Sequence, residues 1–235
     1  MSSDFSRALA DAIAGHAELP EFEAELSLDE AYRLQFAVAQ KRARGGIGGI
    51  KAGVTAAALQ AFFEIDHALI GRLYSDSRLA SGCSFPHLEG RTLECEVAII
   101  VDGEGRPKAI APAIEIVLLR FARPADASAA NLVACNLGAD AYIVGNLVPW
   151  DPSFNEASVE LRRGEEVLNR AALKDALGGP EQGARWIARE AKQRGFECED
   201  DALFLGGACG SVVSAEVGPY TADYGRLGTI EFEIH

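Results

Sequence analysis

Two apolar, β-branched runs carry acid where a buried strand should carry none, and they constrain this chain more than any other feature. They are Leu93-Glu94-Cys95-Glu96-Val97-Ala98-Ile99-Ile100-Val101 and Ala113-Ile114-Glu115-Ile116-Val117. Residues two apart in a strand share a face, so Glu94 and Glu96 project together while Cys95 and Val97 face the other way. Adjacent carboxylates repel, and an unpaired buried charge costs several kcal/mol or forces its pKa upward. Two readings satisfy this. Either the acidic face lies on a wet edge strand, or a hard divalent cation sits between Glu94, Glu96 and a third oxygen ligand from Glu115. The intervening turn Asp102-Gly103-Glu104-Gly105-Arg106-Pro107 joins the runs as a hairpin or passes the chain between neighbouring sheets.

The remaining sequence predicts an α+β chain with a mostly β core. Phe5, Leu9, Ala12 and Ile13 recur at helical spacing, and Ser27 with Glu30 forms a capping box that opens a second helix stopped by Gly45 and Gly46. Residues 1–45 thus form a helical preface, and residues 46–235 a β-rich core within one domain. A helix is predicted from Glu181 to Arg194, and strands at 141–145, 157–164, 203–207, 211–215 and 229–234. His67 to Pro86 reads as a surface loop or short strand, because Gly71, Asp76 and Gly82 interrupt it.

A formal charge of −13 opposes binding to a phosphate backbone, so nucleic acid is not an expected partner. No apolar run approaches a membrane span, and Met1-Ser2-Ser3-Asp4-Phe5 lacks the design of an export signal, so a cytoplasmic location is the expectation. Five scattered cysteines without C-x-x-C spacing indicate neither a disulfide framework nor a zinc site. The glycine-dense segment from Gly45 to Thr55 lacks both phosphate-loop orders. Its glycines could bring backbone close to a small anionic ligand with Lys51 supplying charge, or Lys51 could simply be a solvated lysine. His87, in a loop before the first acidic run, is left outside the site.

The order of these landmarks resembles the hydratase and decarboxylase branch of the fumarylacetoacetate hydrolase superfamily over nearly the whole chain. Gly49-Ile50-Lys51-Ala52-Gly53-Val54-Thr55 is similar to the branch's G-x-K-x-G-x-T, Glu94-Cys95-Glu96 to its metal-binding E-x-E, and Pro112-Ala113-Ile114-Glu115-Ile116-Val117 to its P-A-I-E-[IV]-V. Further on, Leu177-Gly178-Gly179-Pro180 with Ala184-Arg185-Trp186-Ile187, and Tyr224-Gly225-Arg226-Leu227-Gly228, resemble later motifs of the branch. The resemblance implies a mixed β-roll and a site for Mg2+ or Mn2+, with Ca2+ as the alternative, held by Glu94, Glu96 and Glu115. It also implies Lys51 and Asp76 in proton transfer, and Lys51, Gly53 and Asn136 at the substrate.

The implied activity is a hydratase (lyase) of small 2-oxo or 2-hydroxy-alkenoic acids, working through a metal-stabilised enolate in aromatic catabolism, in a homo-oligomer. The alternatives are a 2-oxo diacid decarboxylase, an acylpyruvate C–C hydrolase, or a catalytically silent relative that binds a 2-oxo acid. This chain departs from the branch in places. Glu96 and Glu115 are closer than the pattern leads one to expect, the D-N-x-S element survives only as Asn136, and T-G-S is replaced by Leu205-Gly206-Gly207.

Overall fold

Helix α1 (Ser3–Ala14) and helix α2 (Leu28–Arg42) open the chain in a computed structural model that describes residues 3–43 and 45–235. Met1 and Ser2, from which the export-signal reading began, lie outside the described residues. The capping box forms as the sequence predicts: Ser27 Oγ accepts from the Glu30 N–H at 3.3 Å, and Glu30 Oε2 accepts from the Ser27 N–H at 3.0 Å. Among the described residues no helix is long and apolar enough to cross a membrane.

Among the described residues fourteen strands follow, with three α-helices among them. In chain order they are β1 (Ile47–Gly53), α3 (Ala57–Phe62), β2 (Leu69–Tyr74), β3 (Arg78–Ala80), β4 (Cys83–Phe85), β5 (Arg91–Val101), β6 (Pro107–Leu118), α4 (Ala129–Ala134) and β7 (Ala139–Val144). Then come β8 (Val148–Pro149), β9 (Ser158–Arg163), β10 (Glu166–Ala172), α5 (Pro180–Gln193), β11 (Ala202–Leu205), β12 (Val213–Ser214), β13 (Gly218–Asp223) and β14 (Thr229–Ile234). One mixed sheet runs β2-β1-β11-β5-β6-β7-β3, with β12 beside β5 and β8 beside β6; a second runs β10-β9-β13-β14-β4. This is the α+β class with a β-dominated core.

The long β5–β6 hairpin divides the interior in two. Leu93, Cys95, Val97 and Ile99 pair with Ile116, Ile114, Pro112 and Ile110 on one face and join the main core with α2, α5 and the second sheet. Burying each large aliphatic side chain there contributes about 1.5–3 kcal/mol, which offsets the cost of placing charge on the opposite face. That face alternates Thr92, Glu94, Glu96 and Ala98 with Val117, Glu115, Ala113 and Ala111. Tyr142 and Val144 of β7, Leu203 and Leu205 of β11 and Leu73 of β2 pack with its alanines as a separate small core. The sheet therefore curls into a roll in which β2 approaches β7. Gly48 permits the closure, since a Cβ there would lie 2.6 Å from the Tyr142 hydroxyl.

Two regions differ from the sequence reading. The segment expected to be a loop or short strand at the surface contains β2, every residue of which is buried. Arg72 made it read as polar; its guanidinium is accommodated by a 2.7 Å hydrogen bond to Gln35 Oε1 and stacks 3.7 Å from the Phe196 ring centroid. The second sheet also holds β10 and β13, which short polar runs and Pro219 concealed.

Candidate metal centre

Register brings the three acids together. Glu94 stands directly opposite Glu115 across the β5–β6 ladder, and Glu96 lies two residues along on the same face. Like charges directly opposite one another destabilise a sheet, so this pairing demands a counter-charge. One carboxylate oxygen from each of Glu94, Glu96 and Glu115 falls within 4.8 Å of the others. Glu96 and Glu115 are fully buried, while Glu94 keeps partial contact with solvent and marks the open end of the cluster.

Lys51 supplies part of the counter-charge from across the roll. Strand β1 lies beside β11, which in turn pairs with β5, so Lys51 faces the same interior as the acids. Its Nζ donates to Glu115 Oε1 and, at 3.1 Å, to the Leu137 carbonyl. That carbonyl is presented by three successive residues in the left-handed region: Asn136 (φ 55°), Leu137 (φ 53°) and Gly138 (φ 68°). Asn136 holds the turn in place, accepting from the Arg72 N–H at 2.7 Å and donating to the Arg72 carbonyl at 2.8 Å. Gly53 leaves room for the Leu137 side chain, which a Cβ would meet at 3.0 Å.

Glu96 is oriented by backbone. Its Oε2 accepts from the Gly207 N–H at 2.8 Å, and Gly207 adopts φ 95°, where an added Cβ would lie 2.5 Å from Thr55 Cγ2. With these bonds made, Glu96 Oε1 and Glu115 Oε2 remain buried without any hydrogen-bond partner. A buried charged acceptor left unsatisfied costs more than the 1–3 kcal/mol of a neutral group. An all-oxygen set with two unsatisfied lone-pair sites and one solvent-facing member fits magnesium, manganese or calcium.

The proton affinities agree with that fit. Burial, and then the Glu115 charge, push Glu94 up to about 7, with Lys51 pulling partly back. Glu96 rises well above the ordinary carboxylate range, first through burial and then through Glu115 and Glu94. Burial acts to lower the Lys51 pKa, but the combined attraction of Glu115, Glu94 and Glu96 raises it. A bound divalent cation would work against that attraction and favour loss of the ammonium proton.

Not every expected residue joins this cluster. Asp76 lies in a short 3-10 turn past the end of β2, where its Oδ2 accepts from Arg42 Nη1 at 3.0 Å. It is five residues beyond Gly71, the register partner of Lys51, and its carboxylate is committed to Arg42 rather than to Lys51 or the three acids. That pairing removes it from the site. Asn136 touches the centre through the turn it stabilises, since its amide is committed to the Arg72 backbone. The Leu137 carbonyl and the Gly207 N–H were missed in the sequence because main-chain groups carry no residue signature. The one available signal was the glycine pair Gly206-Gly207 following a strand.

No family model matches the chain. It is 26% identical over 186 residues to 2-keto-4-pentenoate hydratase 2 of Dechloromonas aromatica (strain RCB), covering 72% of this chain and 71% of that protein. The structure of 4-oxalocrotonate decarboxylase from Pseudomonas putida G7, complexed with magnesium and adipate, superposes with a TM-score of 0.90 at 19% identity, covering 100% of this chain and 99% of the other. Fumarylpyruvate hydrolase from Pseudomonas aeruginosa, in complex with Mn2+ and pyruvate, matches with a TM-score of 0.60 at 14% identity over 79% of this chain and 88% of its own. With the motif order, the roll and the carboxylate cluster all in place, the chain is similar to the hydratase and decarboxylase branch of the fumarylacetoacetate hydrolase superfamily in sequence and shares its fold.

Proposed function

We propose that this protein is a divalent-metal-dependent hydratase of small 2-oxo or 2-hydroxy-alkenoic acids. The observation that carries the reading is the trio Glu94, Glu96 and Glu115, with two buried oxygens that nothing in the protein satisfies. These residues would hold the cation. When bound, it would supply Lewis-acid stabilisation to the enolate form of a chelating 2-oxo acid.

The chain's own groups do the rest. Lys51 Nζ, fixed between Glu115 and the Leu137 carbonyl, holds a proton at the edge of the cluster and offers positive charge to the substrate carboxylate. The Gly207 N–H keeps Glu96 in position, and the buried side chains of Leu73, Tyr142 and Leu205 exclude water from the floor of the site. The sequence likeness to 2-keto-4-pentenoate hydratase supports hydration, in which water adds across a carbon–carbon double bond and its proton and hydroxyl end on adjacent carbons. The full-length fold match to 4-oxalocrotonate decarboxylase supports a second reading, loss of carbon dioxide from a 2-oxo acid through the same enolate.

The test is to load purified protein with Mg2+ or Mn2+ and follow the absorbance of 2-hydroxypenta-2,4-dienoate. Loss of dienol absorbance without gas release supports the hydratase. Carbon dioxide release from an unsaturated 2-oxo diacid supports the decarboxylase. Tight cation binding with turnover of neither would mean a silent relative.

A further inference from the structure

We infer that Gln35, in the helical preface, is a positioning residue for Lys51: its amide ties the end of α4 to β2 and so sets the Leu137 carbonyl where the ammonium meets it. This rests on the function proposed above, in which Lys51 offers its charge to a 2-oxo acid. Gln35 is fully buried on α2, and both the donor and the acceptor ends of its amide are in use. Its Nε2 donates to the Ile70 carbonyl of β2 at 3.1 Å and to the Val133 carbonyl of α4 at 3.0 Å. Its Oε1 accepts from Arg72 Nη1 at 2.7 Å.

These bonds close the free edge of β2. That strand ends its sheet with β1 on one side, so alternate residues present an N–H and a carbonyl outward that need partners. At Ile70 the partners come from α2: the Tyr32 hydroxyl accepts from the N–H at 3.1 Å, and Gln35 takes the carbonyl. Tyr32 and Gln35 stand three residues apart, on one face of the helix. At Arg72, two residues further along the strand, the Asn136 amide takes both groups at 2.7 and 2.8 Å. The helical preface and the left-handed turn therefore dock at successive outward positions of the same edge.

The second donor of Gln35 connects that edge to the site. Val133 lies in the last turn of α4, where carbonyls lose their helical partners, and the run Asn136-Leu137-Gly138 follows shortly after it. Held at Val133 by Gln35 and at Asn136 by the Arg72 backbone, the chain delivers the Leu137 carbonyl to one place. There it accepts from Lys51 Nζ at 3.1 Å. Without it, Glu115 is the remaining hydrogen-bond acceptor of the ammonium among the described residues, and Lys51 moves with a carboxylate assigned above to the cation. The three acids themselves lie on β5 and β6, to which Gln35 makes no hydrogen bond, so its effect on Lys51 separates from cation binding.

The test uses the full chain loaded with Mn2+ and pyruvate as the 2-oxo acid probe. Binding is read by calorimetry and by Mn2+ water-proton relaxation, so turnover is not needed. Gln35→Glu keeps the acceptor beside Arg72 and removes both donors; Gln35→Met removes them without adding charge, and replaces the first variant if that one does not fold. The expected result is that either substitution weakens pyruvate binding at least about tenfold while Mn2+ affinity stays within about threefold. In a Lys51→Met background the same substitution should change pyruvate affinity by less than about twofold, because the residue through which Gln35 acts is gone. Tyr32→Phe, which frees the Ile70 N–H but leaves α4 held, should lower the unfolding midpoint and leave pyruvate affinity unaltered. An equal loss in both Lys51 backgrounds, or a loss of the same size in Tyr32→Phe, overturns the inference and makes Gln35 purely structural. Unchanged pyruvate binding in a folded Gln35 variant overturns it with the 2-oxo acid site intact. If the unsubstituted protein binds Mn2+ and pyruvate leaves the ion undisturbed, the 2-oxo acid reading itself fails, and the inference with it.

Discussion

The carboxylate cluster makes the stability of the metal-free protein depend on pH in an unusual direction. Glu94 ionises near 4.5 when its surroundings do not perturb it and at about 7 in the fold, mainly because of burial. A carboxyl group whose pKa is raised by folding binds protons more tightly in the native state. Its contribution is complete below 4.5 and is lost as pH rises toward about 7. The gap corresponds to roughly 3 kcal/mol, and the partial solvent contact of Glu94 reduces that to about 2 kcal/mol. Glu96, raised first by burial, acts in the same sense. For a chain of this size about 2 kcal/mol moves the unfolding midpoint by roughly 4–8 °C.

A divalent cation competes with those protons and binds only the folded state, adding about 2.7 kcal/mol at a hundred times its dissociation constant. Thermal unfolding in a chelator should therefore show the midpoint falling between pH 5.5 and pH 8. With Mg2+ or Mn2+ the fall should disappear, so that the cation raises the midpoint strongly at pH 8 and little at pH 5.5. Asp102, held at about 2 chiefly by the Arg106 N–H, stays ionised across this window and does not confuse the result. A midpoint in chelator that is flat or rises with pH, or an equal cation effect at both pH values, would show that these acids do not form one coupled, cation-binding group.

Other substitutions test separate parts of the site. Lys51→Met should abolish turnover while Mn2+ affinity, measured by calorimetry, is kept or tightened, because the ammonium bound to Glu115 opposes the incoming cation. Glu115→Gln should weaken Mn2+ binding by at least about a hundredfold in the same titration, since it removes one of the three charges proposed to hold the cation. Asn136→Ala leaves the Arg72 N–H and carbonyl unpaired inside the protein and should cost about 2–4 kcal/mol in denaturant unfolding. Asp76→Ala, by contrast, removes only a part-exposed ion pair with Arg42. It should change stability by about 0–1 kcal/mol and leave cation binding unaltered.

The sequence alone determined the strands that carry the acids, the capping box on α2, the long amphipathic helix α5 and the identity of the three carboxylates, because each depends on residue type at short, fixed spacing. Periodicity puts Glu94 and Glu96 on one face whatever surrounds them. It says nothing about which residue of β6 lies opposite. Only the tertiary structure decided that Glu115 faces Glu94, that Lys51 reaches Glu115 across two intervening strands, and that Asp76 pairs with Arg42 instead. It also decided which main-chain groups serve the site: the Leu137 carbonyl turned inward by a left-handed run, and the Gly207 N–H placed where a side chain would strike Thr55. Register, sheet closure and backbone direction are set by the sum of packing across the roll, and no local window of sequence contains that sum.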